Sequence, residues 1–201
     1  MDNQELSMLF EDVMGDGIVL SEDLIEVGTT QKAYPDYLRV EKRIVLSLDS
    51  KVNPTKLEAN CAYIYHDSLY LTDEDGNIAY IDCELTFTPG TKAIKAKHLE
   101  YKLAGGKRAL HDDMDAGHFG VQLGQHPSIA MEQHRYLNRY GAWRKYEQDW
   151  AQLLKEGHSV NLKAVFTKEE GEGTYSGFWC IRETIDGDEY SEFVLTNDDL
   201  Q

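Results

Sequence analysis

Residues 60–85, NCAYIYHDSLYLTDEDGNIAYIDCEL, constrain the fold more than any other stretch. They contain three short runs rich in aromatic and β-branched residues, the composition that suits a half-buried pleated surface. His66-Asp67-Ser68 separates the first run from the second, and Asp73-Glu74-Asp75-Gly76-Asn77 separates the second from the third. Asp-Gly followed by Asn is a strong hairpin signal, because these residues accept left-handed backbone angles. Three strands joined by two tight turns are therefore expected here.

More strands are expected on either side. Residues 38–49 (LRVEKRIVLSLD) alternate well enough for one, and Lys51-Val52-Asn53-Pro54 reads as a turn. Near the end of the chain, 160–166 and 174–185 are strand-like, and Asp186-Gly187 forms a hairpin turn into a last strand at 189–196. Helical spacing is found in two places. Leu6, Leu9, Phe10 and Val13 mark a helix over 4–14, ended by Asp16-Gly17. A longer helix is expected from about Arg135 to Glu156, with Trp143, Tyr146, Trp150, Leu153 and Leu154 on one face and Gly157 as its stop. Residues 18–30 fit a short helix or a strand, and 92–103 are equally open.

With 201 residues the chain is large enough for one well-buried core. It has no long apolar run, and its N-terminus lacks the basic start and apolar centre of a signal peptide. A protein made in the cytoplasm is expected, and export by a specialised system is equally consistent. Cys61, Cys83 and Cys180 cannot all pair and form no CxxC, so they read as reduced and buried; a Cys61–Cys83 bridge stays open if those strands are neighbours. The net charge of −16 sits at the two ends. Residues 1–30 and 168–201 each carry −8, and residues 31–167 are neutral.

One stretch of that neutral middle carries chemistry. Asp115-Ala116-Gly117-His118 is followed, twenty residues after the histidine, by Asn138 within Leu137-Asn138-Arg139. Gly141-Ala142-Trp143-Arg144-Lys145-Tyr146-Glu147 comes next. This pattern resembles the core of the DNA/RNA non-specific endonucleases, which belong to the ββα-metal (His-Me finger) nucleases. Tyr70-Leu71-Thr72-Asp73-Glu74-Asp75-Gly76 resembles a hairpin that precedes the core in the bacterial toxin-type branch.

The resemblance implies an α+β fold: a ββα-metal nuclease core with a central antiparallel sheet and a metal-bearing helix. Residues 51–201 would form the nuclease-like domain, with an acidic C-terminal hairpin. Residues 1–50 would be an acidic accessory segment of helix plus strand. The activity implied is hydrolysis of phosphodiester bonds in DNA, with RNA as a further substrate, without sequence specificity. His118 matches the general base, and Asp115 a structural or orienting group. Asn138 matches the ligand of one hydrated Mg²⁺ or Mn²⁺, and Glu147 the group that orders metal-bound water. Gln133 also fits the family pattern, and Arg108, Arg135 and Arg139 are candidate phosphate contacts. Relatives of this branch are often toxin effector domains held by a cognate immunity protein.

The chemistry suits these residue types. Histidine has the unperturbed pKa for a base near neutral pH. Magnesium keeps several waters, so one amide oxygen can be its only direct protein ligand. The chain also departs from the pattern. Ile129 and Glu132 stand where relatives have Asn and Pro, Ala116 replaces a frequent arginine, and Tyr140 looks like an insertion. The insertion sets Asn138 and Glu147 nine residues apart, about 180° on an unbroken helix. They can share a site only if the helix starts or bulges near Tyr140–Gly141. His126 and His134 read as loop or surface residues. A second reading follows from these departures and from the acidic ends: a catalytically weakened nuclease-like protein that binds a basic protein partner.

Overall fold

The computed structural model describes residues 20–50, 52, 57–88, 114–118, 123–127, 129–134, 137, 140–167, 178–188 and 190–196. The strands are β1 (Ile25–Val27), β2 (Thr30–Lys32), β3 (Lys42–Val45), β4 (Cys61–Tyr65), β5 (Ser68–Thr72), β6 (Ile78–Leu85), β7 (Met114–His118), β8 (Ala130–His134), β9 (Val160–Phe166), β10 (Phe178–Ile185) and β11 (Tyr190–Thr196). The helix α1 spans Ala142–Lys155. The expected helix over 4–14 and the segment 92–103 lie outside the described residues.

Seven strands form the central sheet, in the order β11-β10-β9-β6-β5-β4-β3. The expected β4-β5-β6 meander is present. His66 turns the first hairpin with φ 50°, and Tyr65 pairs with Ser68. At the second, the Asp73 carboxylate accepts the N–H groups of Asp75 and Asn77 at 3.0 and 2.9 Å. Gly76 is required there: its φ is +79°, and a Cβ would stand 2.4 Å from the Leu57 carbonyl oxygen. Asp186 and Gly187, with φ 55° and 72°, turn β10 into β11. Left-handed angles at both positions match the twist of an antiparallel ribbon.

The register separates two sheet faces. Tyr70, Ile81, Ala164 and Ile181 lie side by side in one row, and Leu69, Asp82, Lys163, Arg182 and Glu192 in the next. Neighbouring rows point to opposite faces because strand side chains alternate. Helix α1 covers the first face. Trp143 meets Trp179 edge-on at 5.3 Å, Tyr146 stacks on Phe193 at 3.9 Å, and the Trp150 indole N–H donates to Glu183 Oε2 at 2.6 Å.

The β1–β2 ribbon is tied to the second face. Lys32 Nζ donates to Asp82 Oδ1 at 2.8 Å and to its carbonyl at 3.0 Å, and both side chains are only 13% exposed. Lys163 Nζ stands 3.7 Å from the other carboxylate oxygen. Two half-desolvated charges hold each other here, so removing one strands the other. Asp82→Ala is expected to lower stability by about 3 kcal/mol, and Lys32→Met with Asp82→Leu to be nearly neutral. Urea denaturation of both variants checks this. A double variant as unstable as the single one would refute the pairing argument.

The expected ββα-metal core does not describe this fold. The central sheet is mixed, because β3 joins β4 in parallel at its edge. Strands β7 and β8 form a separate two-stranded sheet. The helix α1 starts at Ala142, behind an extended Gly141 (φ −86°, ψ −162°), rather than at about Arg135. Burial explains the outcome. Most of the apolar residues alternate in strands, so most of the core is sheet surface, and α1 serves as its cover.

The cysteine bridge is also ruled out. β5 lies between β4 and β6, which places Cys61 and Cys83 two strand spacings apart, about 10 Å. A disulfide needs Cα atoms within about 7 Å. All three thiols are free and buried. Burial pushes Cys61 up to about 11 and Cys180 to about 12, and raises Cys83 further, so none is a ready nucleophile.

Candidate active site

The Asp115–His118 motif lies on β7, which pairs antiparallel with β8. Asp115 is opposite Gln133, and His118, the last residue of β7, is opposite Ala130. Gln133 is 1% exposed, and its amide nitrogen has no hydrogen-bond partner. Leaving such a donor unmade in the interior costs about 1–3 kcal/mol.

Ile129 is 1% exposed and Leu137 fully buried, and these two anchor the chain on either side of β8. Ile129 stands where the pattern it resembles has asparagine, and here the position is a core contact. Tyr140 follows in a turn, 74% exposed, and Gly141 is the N-cap of α1. The helix therefore starts where Asn138 and Glu147 would need a break to share a site. Glu147 lies in the second turn of α1, with its side chain 18% exposed and Arg144 Nη1 3.6 Å from its Oε2. Asn138, Arg108, Arg135 and Arg139 lie outside the described residues.

His126 lies in a loop, as expected, but not at the surface. It is fully buried. Its ring meets Tyr65 edge-on at 4.8 Å, and Nε2 is 2.9 Å from the Ser47 carbonyl oxygen. A carbonyl only accepts, so Nε2 carries the proton. Alongside it, the Tyr70 hydroxyl donates to Gln125 Oε1 at 2.5 Å. The sequence signal for this cluster was weak, because its partners come from 47, 65 and 70 and meet only in the folded sheet.

Burial lowers the His126 pKa. Above about pH 6.5 both folded and unfolded chains keep it neutral. Below that, the unfolded chain takes up a proton that the buried ring resists, so stability falls as the pH falls. His158 is shifted the other way by its hydrogen bond to Asp186, which favours the folded state at low pH. It is fully exposed, so water screens that effect and the His126 loss dominates. The urea midpoint is expected to drop between about pH 7.5 and 5.5, and less steeply in His126→Gln. Parallel pH curves for the two proteins would refute the assignment.

Among the described residues, no group of three or more His, Cys, Asp and Glu could hold a metal ion. A single hydrated cation on one amide oxygen would need no such group.

No family model matches the chain, and no curated protein matches it. Among solved structures, NucA from Streptococcus agalactiae with no metal bound is similar at a TM-score of 0.45 and 11% identity, over 97% of this chain and 89% of that one. The crystal structure of the same NucA with magnesium ion bound is similar at a TM-score of 0.49 and 11% identity, over 98% of this chain and 91% of that one.

Proposed function

We propose that this chain is a metal-dependent, sequence-non-specific endonuclease that hydrolyses phosphodiester bonds in DNA, with RNA as a further substrate. The observation that carries the reading is the β7–β8 ladder. It ends Asp115-Ala116-Gly117-His118 at the histidine and pairs it with the strand that leads, through buried Leu137, to Asn138 and α1.

In this reading the neutral His118 imidazole takes a proton from the attacking water. The new P–O bond forms as the bond to the leaving oxygen breaks, yielding a phosphomonoester and an alcohol. Asn138 would hold Mg²⁺ or Mn²⁺, which supplies positive charge against the phosphate and leaving oxygen. Glu147, on α1, would order water beside that site. Asp115 supports the ladder from the Gln133 side. In the resemblance Gln133 would contact substrate, and Arg108, Arg135 and Arg139 would contact phosphate. A toxin role and inhibition by an immunity protein rest on the resemblance of Tyr70–Gly76.

The test is degradation of plasmid and RNA with and without Mg²⁺ or Mn²⁺, for the wild type, His118→Ala and Asn138→Ala. Metal-dependent cutting that is lost in both variants supports the reading. Cutting that survives both places the activity elsewhere. An inert wild type with every metal favours a partner-binding protein instead.

A further inference from the structure

Residues 119–129 join β7 to β8. Connections of this kind ordinarily run over the surface. The described part of this one does not: Leu123, Gln125, His126 and Ile129 are all buried. It meets the central sheet on the face that α1 covers, the face of Tyr70. Tyr63 pairs with Tyr70, and Tyr65, two residues further along β4, points the same way.

The contacts are polar and specific. The Tyr70 hydroxyl donates to Gln125 Oε1 at 2.5 Å and accepts the His126 N–H at 3.4 Å. His126 Nε2 donates to the Ser47 carbonyl oxygen at 2.9 Å, with its ring edge-on to Tyr65. The Thr86 N–H donates to the Leu123 carbonyl oxygen at 3.0 Å. The approach is close: a Cβ on residue 124 would stand 2.1 Å from Thr86 Oγ1. Buried bonds of this kind hold one arrangement, because a loop that slips strands its donors and acceptors in the interior.

The fastening reaches the position of the motif histidine. The Ile129 N–H donates to the His126 carbonyl oxygen at 3.1 Å. The next residue, Ala130, is the one that pairs with His118. Tyr70 and Ser47 are thus joined to position 118 through His126, Ile129 and one ladder pair, while β7 and β8 form a sheet of their own. A general base works only within hydrogen-bond reach of its water, and a misplacement of about 1 Å can cost about a hundredfold in rate.

We infer that Gln125 and His126 are positioning residues: their bonds to Tyr70 and Ser47 fasten the β7–β8 connection to the central sheet and so fix where His118 stands. The inference rests on the nuclease reading and names what sets the place of its base.

The test joins amide hydrogen exchange to steady-state plasmid cleavage with Mg²⁺. The proteins are the wild type, Tyr70→Phe, His126→Leu, His126→Gln and Asp82→Ala. Tyr70→Phe keeps the ring and removes only the hydroxyl, and glutamine at 126 keeps a side-chain N–H donor. In Tyr70→Phe and His126→Leu, exchange at 114–118 and 130–134 is expected to quicken about tenfold, and kcat to fall about tenfold with KM nearly unchanged. His126→Gln should restore most of both. Asp82→Ala weakens the fold from the opposite face and should leave kcat as it is. Added to His118→Ala, Tyr70→Phe should lower the residual rate no further, because it acts through that histidine. If the wild type cuts but the variants keep its kcat, or exchange in β7 and β8 is unchanged, or the double variant loses a further tenfold, the positioning role is wrong and the nuclease reading stands. If the wild type does not cut, the nuclease reading falls and this inference with it.

Discussion

His118→Ala is expected to reduce cleavage about a thousandfold, the scale of a general base. The substitution should leave the fold intact. Residue 118 ends β7 opposite Ala130, and alanine can occupy that ladder position without changing its backbone pairing. A pH profile separates the chemical role from a structural one. In the wild type, kcat/KM should rise with pH to a plateau as a single general base loses its proton. In His118→Ala that limb should vanish, and added imidazole should restore part of the rate. A variant that retains the wild-type rate and pH limb would remove His118 from the mechanism, whatever becomes of the nuclease activity itself.

The largest expected effect on stability is at Trp150. The side chain is 1% exposed, edge-on to Trp143 at 5.5 Å, and 5.8 Å from Tyr146. It is one of the contacts through which α1 holds the sheet. Trp150→Ala removes the packing and leaves a cavity, for about 4 kcal/mol. It also takes the 2.6 Å donor from Glu183 Oε2. Trp150→Phe keeps most of the apolar contact but loses that charge-assisted bond, for about 2 kcal/mol. Total stabilities are about 5–15 kcal/mol, so the alanine variant loses a large share of the whole. Urea denaturation gives both values. A phenylalanine variant as stable as the wild type would show that the indole hydrogen bond contributes nothing.

Local patterning made much of the sheet legible in advance. The meander from Cys61 to Leu85, the strand Val160–Phe166 and the last hairpin lie where alternation and turn residues put them. Their pairing partners are close in sequence, so a short stretch contains nearly all the information needed. The helix was legible for its apolar face and its stop at Gly157, but not for its start. The regular spacing begins only at Trp143, and the expected start near Arg135 lies across the extended Gly141 backbone.

The candidate site was readable as residue types at a spacing, and its strand pairing was not. Nothing in Asp-x-Gly-His reveals that Asp115 pairs with Gln133 across a ladder. That depends on a register between segments more than ten residues apart. The burial of His126 likewise needs Ser47, Tyr65 and Tyr70, which only the folded sheet assembles.

The sequence by itself thus determined the meander and the last hairpin, where their tight turns fall, and where the −16 resides, because each depends on neighbours along the chain. The tertiary structure alone decided that β3 joins in parallel, that β7–β8 stand as their own sheet, and that α1 begins beyond Asn138. Those outcomes depend on how distant apolar faces bury one another, and burial is a property of the whole fold rather than of any window within it.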